Sequence, residues 1–220
     1  MIVPSIASAD PLKLGAVLDY FHGCPLHVDI EDGNFTENIT FGMKTVRAVT
    51  KYHQGRADAH LFVTEPYKYI DALASCGFWG VCFQVEAEPY PLRTLNRIRD
   101  LGMKAGIGLN LATPVGIAAV FSEAVDYVIV MTGEPDSRSM DFFPGALNKI
   151  RRLRELLPER VEIWADGGVN RSNMDECIAN GAGHLVFGRA AFSPLLTPEE
   201  LCELNGRFEP VGKFQIKSRC

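Results

Sequence analysis

The stretch that decides the fold is Leu26-His27-Val28-Asp29-Ile30-Glu31, followed by Met43-Lys44-Thr45-Val46-Arg47-Ala48-Val49-Thr50-Lys51-Tyr52 and then Ala57-Asp58-Ala59-His60-Leu61-Phe62-Val63. The outer pieces are short apolar runs of strand length, and the middle piece spaces its apolar residues at helical period. Two strands joined by a helical crossover lie parallel. Working outward, the same unit recurs along the chain. Further strands are expected at Ile2 to Ile6, Gly80 to Val85, Lys104 to Leu109, Tyr127 to Met131, Val161 to Ala165 and His184 to Phe187. Helices are expected at Pro11 to Tyr20, Pro66 to Ser75, Pro91 to Leu101, Pro114 to Phe121, Pro144 to Leu157 and Ser172 to Asn180, several opening on proline, which the first helical turn accepts without loss. Eight strand–helix units in a chain of 220 residues predict an α/β fold closed into a single (β/α)8 TIM barrel over residues 1–206. The competing architecture is a doubly wound open sheet, which the lack of a G-x-G-x-x-G after the first strand disfavours.

With 47% hydrophobic residues, one substantial core is expected. The net charge of -5 offers no basic field for a polyphosphate backbone, which excludes nucleic acid as a partner. The six cysteines form no C-x-x-C pair and read as reduced thiols. No run reaches the length of a membrane span and no leader pattern opens the chain, so a soluble, cytoplasmic protein without membrane association is expected. Residues 207–220 carry Lys213, Lys217 and Arg219 without helical period. This stretch reads either as a tail or as an arm that packs on a neighbouring subunit of a homo-oligomer.

Barrels of this kind place their chemistry at the C-terminal ends of the strands. Side chains alternate along a strand, so His27, Asp29 and Glu31 share one face and Val28 and Ile30 the other. The apolar pair belongs against the helices, which sends the ionisable set into the barrel mouth. Asp58, His60 and Phe62 repeat the pattern on the third strand, and Asp166 ends the seventh. Taken singly, each histidine reads as a satisfied core residue and each aspartate as a turn cap. Taken together, His27, Asp29, His60 and Asp166 suit one divalent metal ion such as zinc, manganese, cobalt or iron, because buried ionisable groups converging without one carry a large desolvation cost. Gly167-Gly168 after the seventh strand and Gly188-Arg189 after the eighth stand where such barrels commonly bind phosphate on backbone N–H groups.

Several motifs in order carry a family likeness. They are Val3-Pro4-Ser5-Ile6 with Ser8-Ala9-Asp10, His27-Val28-Asp29 with Asp32-Gly33, Asn38-Ile39-Thr40, and Asp58-Ala59-His60-Leu61. Asn110 with Ala112-Thr113-Pro114, Met131, Asp166-Gly167-Gly168-Val169 and Gly188 with Ala190 continue the series. On these the chain resembles the ribulose-phosphate 3-epimerase family over about its first 195 residues, and so a barrel of the ribulose-phosphate-binding type. The resemblance implies a small-molecule sugar phosphate as substrate and inversion at C3 of a ketose phosphate, of the D-ribulose 5-phosphate to D-xylulose 5-phosphate type. It implies metal ligation by His27, Asp29, His60 and Asp166. It also implies that Asp29 and Asp166 act as acid and base on opposite faces of an enediolate, and it sets Ser5 and Met131 near the substrate.

The departures are as informative. Glu31 and Phe62 stand where the family has methionine, Gln84 where it often has histidine, Trp164 where it has glutamate, and Arg189 where it has a small residue. Gly133-Glu134-Pro135-Asp136-Ser137-Arg138-Ser139-Met140 replaces a glycine-rich loop that covers the substrate phosphate. Arg189, with Arg138, is therefore expected to hold phosphate by a guanidinium or else to be solvated, and Glu31 to bind a substrate hydroxyl or to support the metal site. A hexulose 6-phosphate is the alternative substrate, and a sugar-phosphate-binding barrel without catalysis the alternative class. A decarboxylase of the orotidine type is disfavoured because Asp58-Ala59-His60-Leu61-Phe62-Val63 lacks the lysine and second aspartate of Asp-x-Lys-x-x-Asp.

Overall fold

Parallel pairing runs in one direction around the sheet, in the order β1-β8-β7-β6-β5-β4-β3-β2. The strands are β1 (Ile2–Pro4), β2 (Leu26–Glu31), β3 (Ala57–Phe62), β4 (Gly80–Gln84), β5 (Lys104–Leu109), β6 (Tyr127–Met131), β7 (Glu162–Asp166) and β8 (His184–Phe187). A parallel bridge between Ser5 and His27 joins the two ends and closes the barrel. This computed structural model describes residues 1–135, 141–192 and 194–208. Arg138 and residues 209–220, including Lys213, Lys217 and Arg219, lie outside the described residues.

Around the strands run α1 (Leu14–Tyr20), α2 (Met43–Tyr52), α3 (Ile70–Ser75), α4 (Pro91–Asp100), α5 (Gly116–Val120), α6 (Ala146–Leu156), α7 (Met174–Ala179) and α8 (Pro198–Asn205). Helices α1 and α3 are shorter than expected, because Pro11–Lys13 and Pro66–Tyr69 form separate 3-10 turns before them. Helices α5 and α6 start two residues after Pro114 and Pro144. The α8 segment was not among the expected helices, yet it carries a complete capping box: Thr197 accepts from the Glu200 amide and the Glu200 side chain accepts from the Thr197 amide. Among the described residues no helix is long and apolar enough to cross a membrane.

Strand alternation divides the interior into two apolar sets. Val128 and Val130 of β6 pack outward under the helices, whereas Tyr127, Ile129 and Met131 point into the barrel with Val3, Phe62, Cys82, Trp164 and Val186. Large inward rings need empty places opposite. A Cβ on Gly106 would lie 2.5 Å from the Tyr127 ring, so this strand position admits only glycine without a shift of the ring. Trp164 is fully packed inside the barrel with its ring stacked 4.4 Å from that of His184.

Candidate active site

The register of the first strand pairs places the ionisable residues together at one end of the barrel. His27 lies opposite Asp58 and Asp29 opposite His60 across β2 and β3, and Met131 lies opposite Asp166 across β6 and β7. His27 and His60 are fully buried, and the side chains of Asp29 and Asp166 are 14% exposed. One nitrogen or oxygen of each residue lies within 4.8 Å of the others. His27 Nε2 stands 3.1 Å from Asp29 Oδ1 and 3.7 Å from Asp166 Oδ2, while His60 Nδ1 stands 3.6 Å and 3.2 Å from the same two oxygens.

Three of the four are oriented from behind. His27 Nδ1 lies 2.7 Å from Asp58 Oδ2, which makes Nδ1 the donor and turns Nε2 into the site. His60 Nε2 lies 3.1 Å from the Gln84 side-chain amide, which leaves Nδ1 facing the carboxylates. Ser5 Oγ donates to Asp29 Oδ2 at 2.5 Å, so Asp29 presents Oδ1. Ser5 thus touches a site carboxylate directly. Burial opposes charge on His27, but Asp58 and Asp29 outweigh it and raise its pKa well above the ordinary imidazole value. Burial likewise opposes ionisation of Asp166, and the adjoining imidazoles of His27 and His60 outweigh it, holding the carboxyl below the usual range.

The fit to a metal is tested by what these atoms lack. His27 Nε2 and Asp29 Oδ1 are buried without a hydrogen-bond partner although they face each other. Two nitrogens and two carboxylate oxygens aimed at one point form a donor set that a divalent cation satisfies at once, whereas a proton serves only a pair of them. The residues fit the group.

Glu31, 9% exposed, also points into this end, and its Oε2 accepts from Asn38 Nδ2 at 2.9 Å. The Asp32-Gly33 turn holds the loop that carries Asn38. Asp32 Oδ1 accepts from the amides of Asn34 and Phe35, each at 2.9 Å, and its Oδ2 accepts from the Thr64 amide at 2.9 Å. Gly33 has φ 71°, a left-handed turn that glycine adopts freely.

Beside the metal-type cluster lies a cavity of about 390 Å³ lined by Asp166, Gly167, Gly168, Gly188, Arg189 and Asp141, among others. Its floor is set by backbone contacts. Gly167 has φ 114°, and a Cβ there would meet the Gly133 nitrogen at 2.5 Å. The Gly168 carbonyl accepts from Asn170 Nδ2 at 3.0 Å and Asn173 Nδ2 at 3.1 Å, which fixes the plane of the peptide that follows it. Thr132, fully buried, donates from Oγ1 to the Gly167 carbonyl at 2.6 Å. Arg189 is exposed at the cavity rim, opening a short 3-10 turn. Thus the structure brings His27, Asp29, His60, Asp166, Ser5, Glu31 and Met131 to one end of the barrel, with Gly167, Gly168, Gly188 and Arg189 in the adjoining cavity. Reading of the sequence missed Asp58, Asn38, Thr132, Asn170 and Asn173 as supports. The signal for Asp58 was available, since it shares the inward face of β3 with His60.

Comparison with known proteins agrees with this architecture. The family model described as the ribulose-phosphate 3 epimerase family matches residues 1–192. A ribulose-phosphate 3-epimerase of Synechocystis is 36% identical over 201 residues, covering 88% of this chain and 87% of that protein. Those of Schizosaccharomyces pombe and Bacillus subtilis are 35% and 34% identical, covering 97% and 93% of this chain and 95% and 98% of their own lengths. Among solved structures, a mutant tryptophan synthase alpha-subunit of Pyrococcus furiosus is similar with a TM-score of 0.65 at 14% identity, over 87% of this chain and 88% of that one, a likeness of fold alone. The chain is an isomerase that belongs to the ribulose-phosphate 3-epimerase family.

Proposed function

We propose that this protein inverts C3 of a ketose phosphate by proton transfer between two aspartates, with a divalent ion held by His27, Asp29, His60 and Asp166. The observation that carries the reading is the approach of Asp29 from β2 and Asp166 from β7 to one point beside a glycine-walled cavity. Epimerisation without redox needs two acid–base groups on opposite faces of a planar intermediate, and carboxylates from separate strands supply them. In this mechanism one aspartate takes the C3 proton and the other delivers a proton to the opposite face. Ser5, donating to Asp29 Oδ2, holds that carboxylate's orientation through both steps. The backbone of Gly167, Gly168 and Gly188 with the Arg189 guanidinium binds the phosphate in the cavity. A bound divalent ion supplies Lewis-acid stabilisation of the negative charge that develops beside C3.

A pentulose phosphate is the substrate the family favours. Glu31, a carboxylate buried at the mouth, favours a second reading, a ketose such as a hexulose 6-phosphate with a further hydroxyl to donate to it. Incubation of metal-loaded protein in deuterated water with a panel of pentulose and hexulose phosphates decides among them. The expected result is solvent deuterium at C3 of one sugar, abolished by Asp166→Asn. No exchange with any ketose phosphate sinks the reading and leaves a binding barrel.

A further inference from the structure

The two imidazoles of the site face it through different nitrogens, and their supports differ in kind. His27 is backed by a carboxylate, Asp58, whereas His60 is backed by a neutral amide, Gln84. A primary amide can donate or accept, so Gln84 fixes the proton of His60 only if its own orientation is fixed. It is fixed. In the one orientation that satisfies all its neighbours, Gln84 Oε1 accepts from His60 Nε2 at 3.1 Å, and its nitrogen donates to Glu86 Oε2 at 3.2 Å and to the Gly108 carbonyl at 3.1 Å. Both of those acceptors lack a proton to give, so the reverse orientation sets oxygen against oxygen.

The arrangement is built from several elements. Gln84 is fully buried, and a Cβ on Gly108 would sit 2.8 Å from its amide atoms, so β5 leaves a place that the amide fills. Glu86 is itself held through Oε1 by the Asn110 amide at 2.9 Å and by the Thr113 hydroxyl. The Asn110 carbonyl in turn accepts from Lys149 Nζ, which also reaches the Leu111 carbonyl at 3.1 Å. The chain of contacts therefore runs from the surface of α6 through the β5 loop and the end of β4 to an imidazole of the site.

We infer that Gln84 and Glu86 are positioning residues: Glu86 sets the Gln84 amide, and Gln84 keeps the His60 proton on Nε2 so that Nδ1 is delivered to the ion. The inference rests on the metal reading above, and it assigns the chain of contacts that supports His60. A support of this kind typically contributes about 10- to 100-fold in metal affinity. It also makes Gln84 and Glu86 dependent on each other, because Glu86→Gln places a second amide against the first and permits Gln84 to turn.

The test uses the full chain and zinc as the probe. Gln84→Met keeps the volume and removes the acceptor, Glu86→Gln keeps the shape and removes the direction, and both are read by chelator competition for zinc and by long-range proton–nitrogen spectra of labelled histidine. The expected result is a zinc Kd raised about 10- to 100-fold in each variant, with His60 passing from a single Nε2–H tautomer to a mixture. The cobalt(II) absorption spectrum shifts in parallel. An unchanged zinc Kd together with an unchanged His60 tautomer in Gln84→Met overturns the inference, as does an Nδ1–H tautomer in the unaltered protein. If the unaltered protein takes up no zinc while His60 still holds its proton on Nε2 and loses it in the variants, the metal reading falls and the positioning chain stands.

Discussion

His27 Nδ1 lies 2.7 Å from Asp58 Oδ2, both residues being buried and directly opposite in the β2–β3 register. A buried donor aimed at a buried carboxylate cannot lose its partner cheaply. Asp58→Ala leaves the Nδ1–H unsatisfied, at a cost of about 1 to 3 kcal/mol in stability. It also frees the ring to turn its Nε2 out of the site, which lowers metal affinity by about 10- to 100-fold. Asp58→Asn keeps an acceptor and is expected to lose less of both. Thermal unfolding and zinc competition measure the two effects. Zinc binding by Asp58→Ala equal to that of the unaltered protein contradicts the role.

Ser5 closes the barrel through its bridge to His27 and donates its hydroxyl to Asp29 Oδ2. The backbone bridge survives in Ser5→Ala, so the variant isolates the hydroxyl. A hydrogen bond to a charged group contributes about 1.5 to 3 kcal/mol, which corresponds to roughly 10- to 100-fold in kcat if Asp29 must hold one orientation during proton transfer. Metal content is expected to stay unchanged, since Oδ1 and the other three ligands are untouched. A rise in KM alone, with kcat preserved, contradicts this assignment.

How much of this was legible in the sequence depends on whether a feature follows from one strand or from two. Alternation within β2 and β3 suffices to put His27, Asp29 and His60 on an inward face, and chain order puts Asp166 at a strand tip. The pairing of His27 with Asp58 depends on the register of one strand against the next, which no single segment encodes. Gln84 was visible as a departure from the family, but its role requires the empty place at Gly108 on β5 and the carboxylate of Glu86 beyond the strand end. Helix boundaries erred for a local reason: Pro11 and Pro66 start tight 3-10 turns before the α-helices. Thr197-Pro198-Glu199-Glu200 carried a plain capping signal for α8, the eighth helix that the seven expected ranges left unplaced.

The Asp32 carboxylate offers a pH-dependent prediction. Its slight burial pushes its pKa upward, but hydrogen bonds from Thr64, Phe35 and Asn34 outweigh that and lower it from 3.8 to about 2. A carboxylate depressed in the folded state contributes stability that is fully present above its unfolded pKa and is lost as pH falls through the folded one. Asp32→Ala removes the contacts outright and is expected to cost about 1 to 2 kcal/mol near neutrality. The gap in melting temperature between Asp32→Ala and the unaltered protein therefore narrows as pH falls from about 4 toward 2. A gap that stays constant through that range shows that the ionised carboxylate is not what ties the β2 loop to Thr64.

Gly167 and Gly188 both border the cavity, yet their backbones differ in a way that separates two substitutions. Gly167 has φ 114°, and an added Cβ would meet the Gly133 nitrogen at 2.5 Å, so neither its own conformation nor its neighbour's backbone can adapt. Gly188 has φ -76°, and an added Cβ would meet only the Ser8 hydroxyl at 2.9 Å, the end of a side chain that can rotate. Gly167→Ala is therefore expected to cost about 2 to 3 kcal/mol and to displace the peptide next to Asp166. Gly188→Ala is expected to cost less than Gly167→Ala, because the Ser8 hydroxyl can turn away from the added methyl group. If the cavity holds the phosphate, Gly188→Ala raises KM for a phosphorylated ketose, because the added methyl group and the Ser8 hydroxyl it displaces alter the cavity wall, while kcat at saturation stays close to normal. Equal KM values for Gly188→Ala and the unaltered protein place the phosphate elsewhere. A kcat lowered as much as kcat/KM instead assigns Gly188 to the reacting end of the substrate.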